Sequence, residues 1–472
     1  MHLDPSRYWP SEANTLLVTA ALHPDPDRAR RAWRDWEDLQ RFESATWAEL
    51  RVFPIVARRL PALGLDSPLL PRLAGVRRFL WTKARMMHRA VTPFLSSLRD
   101  AGITPVLTKG AGRVALDPRE AVDRYSHDVD VLVRPGEWKT AVDLLLAADY
   151  APEPKLARNT ILRMRQRYHG LGFVKAEARV DLHLFAMMRN RCEGDDDGLR
   201  ARSMQAHFGG IPVRVPSAED RVVIAVGHGL LVSPGGVSDW AFDAVAALAT
   251  PGFDWTLVQR ELIRRGLSAF GVAALGYLRN MLAQPVPAEV LAALARDVDP
   301  VFIEELEVLH NSFVSRSPHE HTVFCLADLE RARRASADLP PGELAAPRET
   351  DWAEATILPA AGKRAETASL TAPDWPGRLQ RLDLEVAFPV EAPRGRRRLL
   401  TELICFEHHE SRLHQRIAPV ENGQVAITFT IPGDFFFLRQ PTDFQLRAWH
   451  LSADRGCKTT PIPSLRYRWR GI

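Results

Sequence analysis

Residues 128–135 read DVDVLVRP, and this short alternation narrows the folds open to the chain. Side chains of a β-strand point to opposite faces in turn, so Val129, Val131 and Val133 share one face while Asp128 and Asp130 share the other. The valine face demands a hydrophobic core. The aspartate face sets two like charges close together, and these repel unless a cation lies between them. One reading is structural: Asp128 ends the strand in solvent and Asp130 pairs with an arginine. The other is chemical. A divalent ion such as Mg²⁺ binds one or two carboxylates with phosphate oxygens and water, and two such ions about 4 Å apart activate an attacking oxygen while stabilising a leaving one.

The neighbouring sequence favours the chemical reading. A third acid normally completes such a site, and Asp181 in ARVDLHLF is the candidate, set between Val180 and Leu182 on a second expected strand. Ahead of the paired acids, the apolar run ITPVLTKG ends in Lys109-Gly110, and AGRVAL starts a helix there. Glycine lets a phosphate approach the backbone, and a helix N-terminus offers unpaired N–H groups. Lys109 is placed to reach phosphate oxygens, one of the acids, or both. Lysine is scarce in this arginine-rich chain, 7 in 472 residues, so a lysine closing an apolar strand stands out. His183 shares a strand face with Asp181 and suits either a substrate contact or a satisfied structural role; His228 in AVGHGLL suits packing.

A chain of 472 residues is too long for one core. Residues 1–100 space apolar residues at three and four, as in VRRFLWTKARMMHRAVTPFLSSLRDAG, which predicts an N-terminal helical region ending near Gly102. Residues 101–215 alternate strands and helices. There GEWKTAVDLLLAADY is amphipathic, and YHGLGFV and ARVDLHLF flank KAEA as a hairpin, so the segment reads as an α/β core. Residues 216–335 return to helical periodicity, opening on a Ser217–Asp220 capping box. Residues 336–378, rich in Ala, Pro and Glu, read as a linker. Residues 379–472 alternate in RLDLEVAFPV, QVAITFTIP and FQLRAWHLS, with a turn signal at Asn422-Gly423, and predict a C-terminal all-β, sandwich-like domain. Within it FEHHESRLH carries HExxxH, a spacing that does not set two histidines on one helix face.

Taken in order, ITPVLTKGA, RYSHDVDVLV, VDLHLF and the helical segments WAELRVFPIVARRL and EDRVVIAVGHGLL resemble the DNA polymerase β-type nucleotidyltransferase superfamily. More narrowly they resemble the uncharacterised bacterial nucleotidyltransferase family 5 proteins, over about residues 30–280. The resemblance implies an α/β nucleotidyltransferase core with a mixed sheet, flanked by N- and C-terminal helical segments. It implies Asp128 and Asp130 as metal ligands, and Asp181 as the third carboxylate, which helps to deprotonate the attacking hydroxyl. It places Lys109 and Gly110 at a triphosphate. The superfamily often has Gly-Ser or Gly-Gly where this chain has Gly110-Ala111, so Lys109, Arg124 or Ser126 would replace the missing serine contact. The implied cofactors are Mg²⁺, as two ions, and an NTP donor, ATP first; the implied partners are that NTP and a small-molecule, peptide or protein acceptor.

Composition limits the alternatives. A net charge of +4, from 62 basic and 58 acidic residues, gives little support for nucleic acid as a partner. Apolar residues at 46% and charged residues at 25% are ordinary for a soluble globular protein. No stretch approaches the ~18–20 apolar residues of a membrane helix, so no membrane partner is expected. The start, MHLDPSRYWP, lacks the pattern of a signal peptide, and Cys192, Cys325, Cys405 and Cys457 are scattered, which fits a reducing cytoplasm. Two further readings stay open: a catalytically inactive binding or assembly protein that keeps the fold, and a toxin-like enzyme acting on tRNA or protein.

Overall fold

The N-terminal periodicity forms four helices, α1 (Glu12–Leu22), α2 (Pro26–Leu39), α3 (Trp47–Ala62) and α4 (Leu70–Asp100). Their starts have chemical causes. Asp25 accepts hydrogen bonds from the first N–H groups of α2, and Thr46 and Glu49 form a reciprocal capping box on α3. Trp33 and Trp36 stack at 5.2 Å, and Trp36 donates Nε1–H to Glu49 at 3.0 Å, so a buried indole keeps a partner. The computed structural model describes residues 3–153, 155–163, 169–188, 194–230, 239–311, 327, 348–349, 351–354, 356–358, 367–369, 379–389, 398–407, 409–419, 424–432, 443–450, 458–459 and 464–471. The chain divides into two units, Met1–Ser315 and Arg316–Ile472.

A seven-stranded mixed sheet follows α4. Its elements are β1 (Val106–Leu107), α5 (Lys109–Leu116), β2 (Val129–Leu132), α6 (Trp138–Ala147), β3 (Ala151–Glu153), α7 (Arg158–Arg163), β4 (Gly170–Lys175), β5 (Ala178–His183), α8 (Asp197–Arg202), β6 (Met204–Phe208) and β7 (Ile211–Val215). The strand order is β3-β4-β5-β2-β1-β7-β6. β2 runs parallel to β5 and β1 parallel to β7, while β1–β2, β4–β5 and the two edge pairs are antiparallel. The expected hairpin is present, with Lys175 opposite Ala178.

β2 lies inside the sheet, and all four of its residues are buried. The alternation assigned only the valine face to a core. The face carrying Asp130 is covered as well, and Asp130 is 3% exposed. Its charge therefore needs partners inside the protein.

The helices after the sheet are α9 (Ala218–Gly229), α10 (Asp239–Leu248), α11 (Trp255–Arg264), α12 (Ser268–Asn280), α13 (Ala288–Asp297) and α14 (Pro300–Asn311). Ser217 caps α9 by accepting from Asp220 N–H, as its sequence predicts. The two helical segments, distant in sequence, pack together: Trp9 donates to the carbonyl of Ala273 in α12 at 3.0 Å, and Arg51 of α3 pairs with Asp239 of α10. Among the described residues, no helix is long and apolar enough to cross a membrane.

In the second unit the described residues form two antiparallel sheets. Leu379–Pro389 pairs with Gln424–Pro432 and Ser464–Gly471; Arg398–Glu407 pairs with His409–Pro419 and Asp443–His450. Val386 and Ile427 are cross-strand partners, and both are buried. Segments of the stretch read as a linker pair into these sheets, Arg348–Glu349 and Ala353–Glu354 beside Ser464–Gly471, and Thr356–Leu358 with Thr367–Ser369. The HExxxH segment falls on strand His409–Pro419, while His408 and the Asn422-Gly423 turn lie outside the described residues.

Candidate active site

Parallel pairing of β2 and β5 sets Asp130 directly opposite Asp181, so two acids 51 positions apart stand side by side on one face. Asp128 precedes β2 at the mouth of the same face. The antiparallel turn back from β1 brings Lys109 to this end of β2. Lys109 has φ of +51°, a left-handed conformation that lysine seldom adopts and that a surrounding fold must hold. Its Nζ donates to Asp130 Oδ1 at 2.6 Å. His183 Nε2 lies 3.1 Å from Asp130 Oδ1 and 3.0 Å from Asp181 Oδ2. His127 Nε2 stands 3.2 Å from Asp128 Oδ2.

Burial alone would neutralise these groups, and their mutual charges decide otherwise. Asp130 is pushed up by burial, but the Lys109 charge and the His183 hydrogen bond outweigh that and hold it well below the usual carboxylate range. Burial and then the His183 and Lys109 charges act on Asp181 in the same way, leaving it at about 2. For His183, burial works against the cation, yet the Asp181 charge and the hydrogen bonds its ring donates to both acids raise it to about 9. Asp128 moves upward, driven by burial and then by the Asp130 charge. Two neighbouring histidines behave oppositely to His183. Burial, then the His183 charge, lowers His169 to about 2, and burial, then Lys109, lowers His228 to about 3. One imidazole of the cluster therefore carries a proton at neutral pH. The ionisation of Asp128 is held back, so a cation beside it would favour its charged form.

The donor set fits a divalent ion. Asp130, Asp181 and His183 each offer a ligand atom, and these atoms all lie within 4.8 Å of one another. The sequence reading placed the ligands at Asp128, Asp130 and Asp181. The fold draws Asp130 and Asp181 together through His183 and leaves Asp128 at the mouth, beside His127. His183 was legible as sharing Asp181's strand face; its reach to Asp130 depends on a register that alternation does not reveal.

A cavity of about 190 Å³ opens beside the acids, with Lys109, Gly110, Ser126, Asp128 and Asp130 in its wall. A Cβ on Gly110 would stand 3.1 Å from Ser126 Cβ, so this wall has little room for a side chain. Ser126 Oγ is buried without a hydrogen-bond partner, next to the start of α5. Arg124 also lines the cavity, but its guanidinium is committed: Nε and Nη2 donate to Asp243 at 2.9 Å each, and Nη1 donates to Asp239 at 2.9 Å. Asp239 and Asp243 lie one turn apart on α10, a like-charge spacing that is unfavourable by itself. Arg51, Arg113 and Arg124 converge on them from α3, α5 and the segment before β2. Sequence reasoning missed both aspartates; their only signal is the four-residue spacing in DWAFD. A larger depression, about 770 Å³, lies at the opposite end of β2 near Arg134, Arg200 and Arg214, away from the acids.

A mixed sheet with carboxylates on adjacent parallel strands beside a Lys-Gly helix start is the arrangement expected from the sequence resemblance to nucleotidyltransferases. The chain matches the model of a family described as uncharacterised nucleotidyltransferase over residues 34–283. That is more than half of the 472 residues, and the chain belongs to this family of transferases. Among solved structures it is similar to the antibiotic-resistance factor ANT(2'')-Ia, with 13% identity, a TM-score of 0.25, and coverage of 42% of this chain and 95% of that one. No curated protein matches the chain.

Proposed function

We propose that this protein moves a nucleoside monophosphate from an NTP, ATP first, to an acceptor hydroxyl and releases pyrophosphate. The observation that carries the reading is the in-register placement of Asp130 and Asp181 on adjacent parallel strands, with Asp128 at the mouth and Lys109-Gly110 facing them. The triphosphate lies against Gly110 and the first N–H groups of α5, where the missing side chain leaves space. Ser126 Oγ, buried and unpartnered, donates to a phosphate oxygen in the place of the superfamily's serine. Lys109 turns from Asp130 to the phosphates as the site fills. Arg124 acts at one remove, fixing the segment that carries Ser126 and Asp128 onto α10.

Asp130 and Asp181, with Asp128, would hold the Mg²⁺ ions, which when bound neutralise charge on the phosphates and favour loss of the hydroxyl proton. Asp181, ionised and partly exposed, accepts the hydrogen bond of the acceptor hydroxyl and orients it in line with the α-phosphorus. The acceptor is a small molecule, peptide or protein in a cytoplasmic setting. Residues 379–472 are taken as an all-β, sandwich-like domain, a reading supported by the two antiparallel sheets of the second unit.

The test separates the two ends of the donor. The full chain is incubated with cell extract, Mg²⁺ and NTPs labelled at either the α- or the γ-phosphate. Label from the α-position should appear in an acceptor, label from the γ-position in pyrophosphate, and a chelator should stop both. Transfer of the γ-label instead would make the protein a phosphotransferase, and no α-transfer from any of the four NTPs would reject the reading.

A further inference from the structure

We infer that His183 is a direct nitrogen ligand of the ion held on the Asp181 side of the cup, and that this ion is a first-row transition dication such as Mn²⁺ in preference to Mg²⁺. The inference rests on the nucleotidyltransferase reading of the cup and names the cofactor class of one of its two ion positions.

The spacing of the donors carries it. His183 Nε2 stands 3.1 Å from Asp130 Oδ1 and 3.0 Å from Asp181 Oδ2. Neighbouring donors around an octahedral ion with bonds of ~2.1 Å are about 3.0 Å apart. One ion can therefore meet Nε2 and the carboxylates without the strands moving, as the proton that Nε2 holds against the two acids passes to solvent and Lys109 gives up Asp130 Oδ1. The imidazole is also built into place. Gly170 lies opposite His183 in the β4–β5 pair, and a Cβ there would come within 2.9 Å of His183 Nδ1. Only glycine leaves room for the ring in this orientation. The His169 ring packs 5.1 Å away, and His183 is 2% exposed. Nδ1 finds no hydrogen-bond partner. Burying a polar ring with one nitrogen unsatisfied is unfavourable, and the Nε2 contacts must offset it. Imidazole nitrogen suits transition dications, whereas Mg²⁺ prefers an all-oxygen shell.

Mn²⁺ is the probe, added to the full chain alone and then with a non-hydrolysable ATP analogue, and pulsed electron paramagnetic resonance reads nitrogen coupled to the ion. The expected result is ¹⁴N modulation that becomes a ¹⁵N pattern when the protein is made with ¹⁵N-histidine, which separates imidazole from Lys109. His183→Gln should remove it, and His127→Gln should keep it. Competition between the ions should show Mn²⁺ bound at least about tenfold more tightly than Mg²⁺, a preference reduced several-fold in His183→Gln. The labelled wild type alone decides the matter if that variant does not fold. Mn²⁺ bound with no histidine coupling would overturn the inference and leave the cup intact, with His183 only orienting the two acids. No saturable Mn²⁺ binding, with or without the analogue, would overturn the inference together with the reading of the cup.

Discussion

Replacing Asp130 with asparagine is expected to lower nucleotidyl transfer by about 10³-fold or more, ~4 kcal/mol of lost transition-state stabilisation. Asparagine keeps the shape of the side chain and an oxygen for Lys109 and His183, but it removes the charge that an ion would bind. Asp130 is the hub of the site: its Oδ1 meets Lys109 Nζ at 2.6 Å and His183 Nε2 at 3.1 Å, and its neighbour in register is Asp181. Removing its charge also leaves buried His183 and half-buried Lys109 with less compensation, so some stability is lost as well. Asp181→Asn separates the two effects. It keeps the Lys109–Asp130 pair, so it should lose transfer with a smaller change in stability. Initial rates of α-label transfer, set beside urea unfolding of each variant, check both. Turnover of Asp130→Asn within tenfold of the wild type would remove the acids from the mechanism.

Arg124→Met should cost about 3–5 kcal/mol of stability, the usual range for breaking a buried ion pair from one side. Arg124 donates to both Asp239 and Asp243, and burial, which would depress its pKa, is outweighed by those two acids. Without it, two buried carboxylates one turn apart keep, among the described residues, the ion pairs with Arg51 and Arg113. Arg124→Lys should recover only part of the loss, because an ammonium does not reproduce the fork that reaches both acids at once. Changing Asp243 to leucine in the Arg124→Met background should restore some stability by removing an orphaned charge. Urea unfolding of the three variants measures this. A loss below 1 kcal/mol for Arg124→Met would mean that α10 is not held to the site by these pairs.

The parts legible in the sequence were those that local pattern dictates. DVDVLV had to hold a strand, though that strand runs only over Val129–Leu132 and leaves Asp128 in the bend before it; Lys109-Gly110 had to end a strand and open a helix, and the KAEA hairpin had to place Asp181 among apolar neighbours. The strand order was not legible. β2 lies between β5 and β1, a non-local arrangement that no alternation encodes, and it alone puts Asp130 beside Asp181 and brings His183 across to both. Arg124 shows the same limit. An arginine four residues before the first acid suits a phosphate, and only the packing of α10 reveals that its guanidinium is already taken. Ser126 gained by the same geometry, because the fold buries its hydroxyl beside Gly110 and gives it no partner.

The most direct measurement is a crystal of the full chain soaked with Mn²⁺ and a non-hydrolysable NTP, with the ions located by anomalous scattering. The expected result is a peak within bonding distance of Asp130 and Asp181, a second beside Asp128, and the triphosphate lying along Gly110 and Ser126. Ions absent from the three aspartates, with the nucleotide seated instead in the arginine-lined depression at the opposite end of β2, would contradict it.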